Sequence, residues 1–153
     1  MTIDIRADDP RSPAIAPLLA LHLAELRGVM TPEFAFALDA DELAAPGIAF
    51  FSAWRDGVLV GMAALKRLDD DAGEVKSMRA TPAARGTGVG RALIRHVVAA
   101  ARAAGHRRLH LETGTADTHA AAVGLYHSEG FVDGDAFADY APSPHNRFMV
   151  LHL

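Results

Sequence analysis

The sequence predicts an α+β fold, a mixed and mainly antiparallel sheet flanked by helices. Three observations carry this. Extended runs at residues 48–54, 58–66 and 74–80 are separated by the turn signals Arg55-Asp56-Gly57 and Asp69-Asp70-Asp71-Ala72-Gly73, which reads as an antiparallel meander. A long helical pattern follows from Gly88 to about Ala104, with Val89, Leu93, Val97 and Ala101 at helical spacing and Gly105 ending it. The next extended run, 108–112, is reached through that helix, and such a crossover makes it parallel to 74–80.

The other elements follow in order. Residues 2–6 alternate as a first strand. Ser12-Pro13 reads as N-cap and first helical residue, followed by Ile15, Leu18, Leu19, Leu23 and Leu26 at helical spacing. Thr31-Pro32 starts another turn, residues 39–43 form a short helix, and Ala45-Pro46-Gly47 breaks the pattern. A helix over 118–128 stops at Gly130, and runs at 131–137 and 147–153 are the last strands, joined by a Pro-containing loop. No linker interrupts residues 1–153, so one domain is expected.

Composition narrows the function. A chain of 153 residues buries about 68–70% of its unfolded surface, enough for a true core. The net charge is −4 and Lys/Arg runs are absent, so nucleic acid is not an expected partner. Cysteine is absent, which removes disulfides, Cys metal sites and a Cys nucleophile. No apolar stretch has the length of a signal core or a membrane span, so a cytoplasmic protein without a membrane partner is expected. The eight histidines show no convergent ligand spacing: His106 and His110 are four apart, but Gly105 breaks the helix before them, and no metal is expected. Ser77 lacks the Gly-x-Ser-x-Gly elbow of a serine hydrolase. Asp69-Asp70-Asp71 reads as a solvated turn.

The chemistry concentrates in Arg85-Gly86-Thr87-Gly88-Val89-Gly90-Arg91, between a strand and a helix. Glycines admit close backbone approach, and a helix N-terminus offers unpaired N–H groups to phosphate oxygens. A Walker A loop would need Lys-Ser/Thr after Gly90, where Arg91-Ala92 stands. A dinucleotide fingerprint would need glycine at position 91 and a full βαβαβ half; Glu112 does imitate its ribose-binding acid. A ligand-free Gly-rich turn is the plain alternative.

The segment Met78-Arg79-Ala80-Thr81-Pro82-Ala83-Ala84-Arg85-Gly86-Thr87-Gly88-Val89-Gly90 resembles the acyl-coenzyme A (acyl-CoA) site of the GNAT acyltransferase superfamily, Arg/Gln-x-x-Gly-x-Gly/Ala after a strand. Arg85, Gly88 and Gly90 fit that pattern, and Ala122-Val123-Gly124-Leu125-Tyr126-His127-Ser128-Glu129-Gly130-Phe131 resembles the family's Ala-x-x-Leu-Tyr-x-x-x-Gly-Phe helix end. Many members carry Asn seven residues before the tyrosine; this chain has His119. The resemblance implies a GNAT-like fold with a strand-loop-helix site for acetyl-CoA, held by Met78, Arg79 and Ala80 at the strand end and by Arg85, Gly86, Thr87, Gly88, Val89, Gly90 and Arg91. It implies an N-acetyltransferase. A non-catalytic acyl-CoA sensor, which would keep the loop and lose the acid or base, is the alternative.

Direct attack of an amine on a thioester needs a base, an oxyanion donor and an acid for the thiolate. The resemblance implies Tyr126 as the acid; a phenol with a reference pKa of about 10 is protonated at neutral pH. It implies Glu74 as the first choice of base, and strand alternation puts Glu74 and Lys76 on one face, where a structural ion pair is the alternative. Glu112, at the end of the parallel strand, is the second choice, or a strand-end residue bonded to the Thr113-Gly114 turn. Tyr140, among Asp139, Pro142 and Pro144, reads as a lid or surface residue. His22 and His145 are acceptor-site candidates or surface histidines. Arg27, Lys66, Lys76 and Arg79 suit a small carboxylate-bearing amine, such as an amino acid. Asp39, Asp41 and Glu42 would suit a polyamine, an aminoglycoside or a protein N-terminus instead. A homodimer is left open.

Overall fold

The computed structural model of the chain describes residues 2–29 and 38–153, the last three of the first stretch by backbone only. The strands are β1 (Asp4–Ala7), β2 (Ile48–Arg55), β3 (Val58–Arg67), β4 (Ala72–Ala80), β5 (Arg108–Gly114), β6 (Val132–Asp133) and β7 (Asn146–His152). The helices are α1 (Ala16–Val29), α2 (Ala40–Leu43), α3 (Val89–Ala103) and α4 (Ala120–Ser128). The strands form one sheet of order β1-β2-β3-β4-β5-β7-β6, antiparallel except between β4 and β5. This is the expected mixed α+β architecture. The Thr31-Pro32 turn and the Arg27 side chain lie outside the described residues.

The meander forms where its turn chemistry placed it. Asp56 and Gly57 both take positive φ, 53° and 76°, and Arg55 faces Val58 across them. A two-residue loop of that kind matches the twist of the strands it joins. Side-chain alternation then gives the sheet two apolar faces. Phe51, Ala53, Ala63, Leu65, Val75, Leu109, Leu111 and Met149 meet α3 and α4 on one side. Phe50, Met62 and Ala64 meet Ile15, Leu18, Leu19 and Leu43 on the other, the face covered by α1 and α2. Asp39 caps α2 with a reciprocal Glu42 bond.

Two expectations are corrected. The first helix begins at Ala16 and not at Pro13; Ser12 only closes a turn, its carbonyl accepting from the Ile15 and Ala16 amides at 3.0 and 3.2 Å. Pro17 is the reason, since its ring has no N–H and would meet the carbonyl four residues back. The run at 131–137 pairs only over Val132–Asp133. Phe137 leaves the edge and stacks on His110, ring centres 4.6 Å apart, and edge-on against Phe148 at 5.8 Å. Burying that ring on the sheet face replaces continued pairing at an edge.

The feature that shapes the site is a bulge in β4. Met62 faces Arg79 and Ala64 faces Lys76, so Ser77 and Met78 together oppose Ala63, and Ser77 takes a φ of 52°. Pairing between β4 and β5 ends at Val75 and Leu111, although β4 continues to Ala80 and β5 to Gly114. Past that point the two neighbours carry no ladder between them.

Candidate active site

The residues expected to hold acetyl-CoA lie on β4 past its last pair with β5 and in the loop and helix that follow. Met78 and Ala80 lie on the unpaired arm of β4 and pack against the α3–α4 core. A short 3-10 turn, Pro82–Ala84, leads into the glycine loop. Gly86 and Gly88 have φ of 74° and 92°, values other residues rarely take. Gly88 is the N-cap of α3 and supplies no side-chain bond, so no side chain of the cap blocks the first-turn amides. A Cβ at Gly88 would meet nothing within 4 Å, which leaves open space over that backbone. Gly90 differs: a Cβ there would come 3.0 Å from Leu125, so this glycine lets α4 approach α3. Val89 anchors the loop in the core. Arg55 ties it from the meander, donating to the Thr87 hydroxyl at 3.0 Å and the Thr87 carbonyl at 3.1 Å, while that hydroxyl donates to the Ala84 carbonyl. Arg85 is 57% exposed, and Arg91 is engaged with Glu129 at the end of α4.

Tyr126 sits on α4, 7% exposed, its ring centre 5.9 Å from that of Phe131. Burial pushes its phenol up to about 12. The sheet's other face carries the carboxylates. Glu74 is 2% exposed; it accepts from the Tyr140 hydroxyl at 2.5 Å and faces the Lys76 ammonium at 3.4 Å, which donates to the same hydroxyl at 2.7 Å. Tyr140 is therefore no surface residue: it packs on Phe137 and Phe148, and burial, then Glu74, push its phenol far up. Its sequence signal was faint, an aromatic three residues after Phe137 in a polar loop.

Glu112 is the first residue of β5 beyond the last pair with β4, as Lys76 is the first of β4. It accepts from the Asn146 amide at 2.9 Å, and not from the Thr113-Gly114 turn, because β5 continues through both residues. Burial pushes its carboxyl up to about 7, with nearby Glu74 adding to the rise and Lys76 and the Asn146 bond opposing it. Asn146 was not singled out in the sequence and carries no local signal.

The α1 side of the β4 arm is polar. Arg79, 12% exposed, pairs with Glu25 of α1, and its Nη1 lies 3.3 Å from His22 Nδ1. His22 is buried, and burial followed by Arg79 and Lys76 holds it down to about 4, hence neutral at pH 7. His119 lies across Gly114, where a Cβ would come 2.5 Å from its ring. Ser77 Oγ, Arg79 Nε and His119 Nδ1 are buried without a hydrogen-bond partner. Lys66 stands opposite Glu74 at the paired end of β4, and His145 is exposed in the last loop. Among the described residues no three His, Asp or Glu side chains could hold a metal, and no helix is long and apolar enough to cross a membrane.

A model of the acetyltransferase (GNAT) family matches residues 16–131, spanning β4, β5, the glycine loop and the Tyr126 helix. The chain belongs to the GNAT acetyltransferase family. It is 41% identical over 149 residues to the Escherichia coli (strain K12) protein named uncharacterized N-acetyltransferase YedL, covering 97% of this chain and 94% of that one. It superposes at a TM-score of 0.81 on a Klebsiella pneumoniae protein classed as an acyl-CoA N-acyltransferase, 26% identical, covering 99% and 98% of the two chains. A GNAT family acetyltransferase from Elizabethkingia anophelis with acetyl-CoA bound has the same fold at a TM-score of 0.71 and 17% identity, covering 99% and 98%.

This acetyltransferase is an enzyme of N-acetyl transfer from acetyl-CoA. Its candidate residues divide by face. Met78, Ala80, the glycine loop and Tyr126 line the α3–α4 side, while Glu74, Lys76, Arg79, Glu112, Tyr140 and Asn146 line the α1 side. The bulge at Ser77 lies just past the last pair of β4 with β5, Val75 with Leu111, where the ladder between those two strands ends.

Proposed function

We propose that this acetyltransferase acetylates the amine of a small, carboxylate-bearing molecule by direct attack on the thioester, with Glu112 as general base and Tyr126 as donor to the leaving sulfur. One observation carries the reading: Glu112 stands at the fork of β4 and β5 with its carboxyl raised to about 7. A base is most effective when its pKa lies near the working pH, so that it is ionised yet still holds a proton well. Glu74 fits this less well, because Tyr140 and Lys76 already satisfy its carboxylate and 2% exposure leaves little room for an ammonium.

The residues fit acetyl-CoA. Gly88's open backbone and the uncapped start of α3 suit phosphate oxygens, and the unpaired edge of β4 at Met78 and Ala80 suits an amide chain. Arg85 is exposed enough to join the phosphate seat; Arg91, paired with Glu129, contributes by shaping the helix start. Acetyl-CoA supplies an acyl group already activated as a thioester. Glu112 removes a proton from the acceptor ammonium, leaving the lone pair to attack. Tyr126 holds its proton at every working pH. A phenol near 12 is a weaker acid than a thiol of ordinary pKa, about 8.5, so complete transfer would be uphill by about 5 kcal/mol. Tyr126 therefore donates a hydrogen bond while negative charge develops on sulfur. As the carbon–sulfur bond breaks, the attacking nitrogen gives up its second proton, which neutralises the departing thiolate to the free thiol, and the first proton leaves Glu112 to solvent.

The test is release of free thiol from acetyl-CoA across a library of amines, half of them carboxylated. Turnover confined to a group of small carboxylated amines is the expected result. No thiol release with any amine would favour a binding role, and turnover only with polyamines, aminoglycosides or peptide N-termini would move the acceptor class.

A further inference from the structure

We infer that Arg79 is the receptor for the acceptor's carboxylate and that Glu25 occupies its place until the acceptor binds. This rests on the small carboxylated amine proposed above and names the group that reads it. Arg79 lies on the unpaired arm of β4, on the α1 face that also carries Glu112. Of the four cations the sequence offered, Lys76 is bonded to Tyr140 and Glu74, Lys66 stands at the paired end of the strand, and the Arg27 side chain is outside the described residues.

The decisive geometry is on one edge of the guanidinium. Nε and Nη2 point the same way and suit the two oxygens of a carboxylate. Here Glu25 takes Nη2 through a single oxygen, Oε2, while Nε is buried and unpartnered. The edge that can accept a carboxylate side-on is thus half used. The other nitrogen, Nη1, faces neutral His22, whose Nδ1 can accept, so that side of the guanidinium is held in place. Glu25 is 45% exposed while Arg79 is 12% exposed, so the plug lies on the solvent side of the receptor. Arg85 also reaches Glu25 at 3.7 Å, which gives the displaced carboxylate a second cation to hold. An entering carboxylate that bonds both Nε and Nη2 replaces one bond with two and satisfies a buried donor, which is otherwise costly to leave bare.

The experiment uses the full chain, acetyl-CoA and matched pairs of α-amino acids and their α-amides. Comparing variant with wild type for each compound cancels the different basicity of the two amines. Arg79→Ala is expected to lower kcat/KM for the acids at least tenfold more than for the amides, about 1.4 kcal/mol of selective recognition. Arg79→Lys is expected not to rescue, because an ammonium offers no planar fork. Glu25→Gln is expected to lower KM for acids and not for amides, since a neutral plug competes less. Thermal melting gives a readout apart from turnover: acids, and not amides, should raise the wild-type Tm, and Arg79→Ala should lose that rise. Acids accepted normally with equal losses for acid and amide in Arg79→Ala would overturn the inference alone. A Glu25→Gln variant with raised KM for acids would overturn it too, and this arm stands if Arg79→Ala does not fold. Wild-type protein that acetylates amines but no acid would overturn the substrate reading and this inference together.

Discussion

Replacing Glu112 by Gln should make the enzyme slower and the fold more stable, and both effects should depend on pH. Burial raises this carboxyl from 4.5 to about 7. In the unfolded chain it has lost its proton by pH 5 or so, while the folded protein still holds it. Between these two values the folded state binds more protons, so stability falls as pH rises, and the cost is fully present above the folded value. That cost is up to about 3 kcal/mol, from 1.36 kcal/mol per pH unit of difference. Glutamine keeps the carbonyl that accepts from Asn146 and carries no charge. Urea denaturation should find Glu112→Gln more stable than wild type at pH 8, by up to that amount, with the difference gone at pH 4. The rate should change in the opposite sense. The ratio of wild-type to variant kcat/KM cancels the acceptor's own titration and follows ionised Glu112, about 1% at pH 5, half at pH 7 and about 90% at pH 8. Loss of a base typically costs about 10²–10⁴ in rate, which sets the height of the plateau. Asn146→Ala removes a bond that favours the charged form, so the acid limb should move to higher pH. Glu74→Gln removes a like charge, so it should move to lower pH. A wild-type to variant rate ratio that stays flat from pH 5 to 8, or a stability gap that does not grow with pH, would refute the reasoning. A flat limb in Glu74→Gln, with an unaltered one in Glu112→Gln, would transfer the base role to Glu74.

Gly88→Val forces a β-branched residue into a φ of 92° and fills the open space above the loop. Isothermal titration should show acetyl-CoA affinity reduced at least tenfold, about 1.4 kcal/mol, and more than in Arg85→Ala. Tyr126→Phe keeps the ring against Phe131 and removes the donor. Turnover should fall by about 10²–10³, the cost of losing one hydrogen-bond donor to developing charge, under conditions where chemistry limits, with little change in acetyl-CoA affinity; full turnover would end its role. Tyr140→Phe leaves buried Glu74 without its phenol donor, and urea melts should show a loss of about 1–3 kcal/mol while the ring stays packed on Phe137 and Phe148.

Local chemistry made most of the sheet legible. Asp56-Gly57 demands a tight hairpin, and the helical crossover from β4 to β5 demands a parallel pair, so neither depends on distant residues. The glycine loop was legible for the same reason. Gly86 and Gly88 both take positive φ, and only glycine takes such values freely. The bulge at Ser77 was not legible. Serine carries no preference for a φ of 52°, and the distortion is visible only once the β3 register is known. The overlong strand expected over 131–137 failed differently. Residues 131–137 have strand-like composition, but Phe137 gains more by covering His110 and Phe148, rings brought near only by the folded sheet.

The α1 side of the site was hidden because its contacts span the chain. Tyr140 and Glu74 are 66 residues apart, Arg79 and Glu25 54, and Asn146 and Glu112 34. Each partner alone looks like an ordinary polar residue, and no spacing rule connects them. The raised carboxyl of Glu112 shows the consequence. Nothing in Leu111-Glu112-Thr113 sets it; burial sets it first, and the balance among Lys76, Glu74 and Asn146 adjusts it, with contributors from β4 and β7 meeting at β5. A phosphate seat can be written in a few consecutive residues, because backbone amides do the binding and need only the right φ. A base poised near neutrality cannot, because its charge state is a sum over groups from several strands. Changing any one of those groups should therefore move the acid limb while leaving the glycine loop's hold on acetyl-CoA unaltered. That separation is testable on the same protein samples, by reading the pH profile and the cofactor titration side by side.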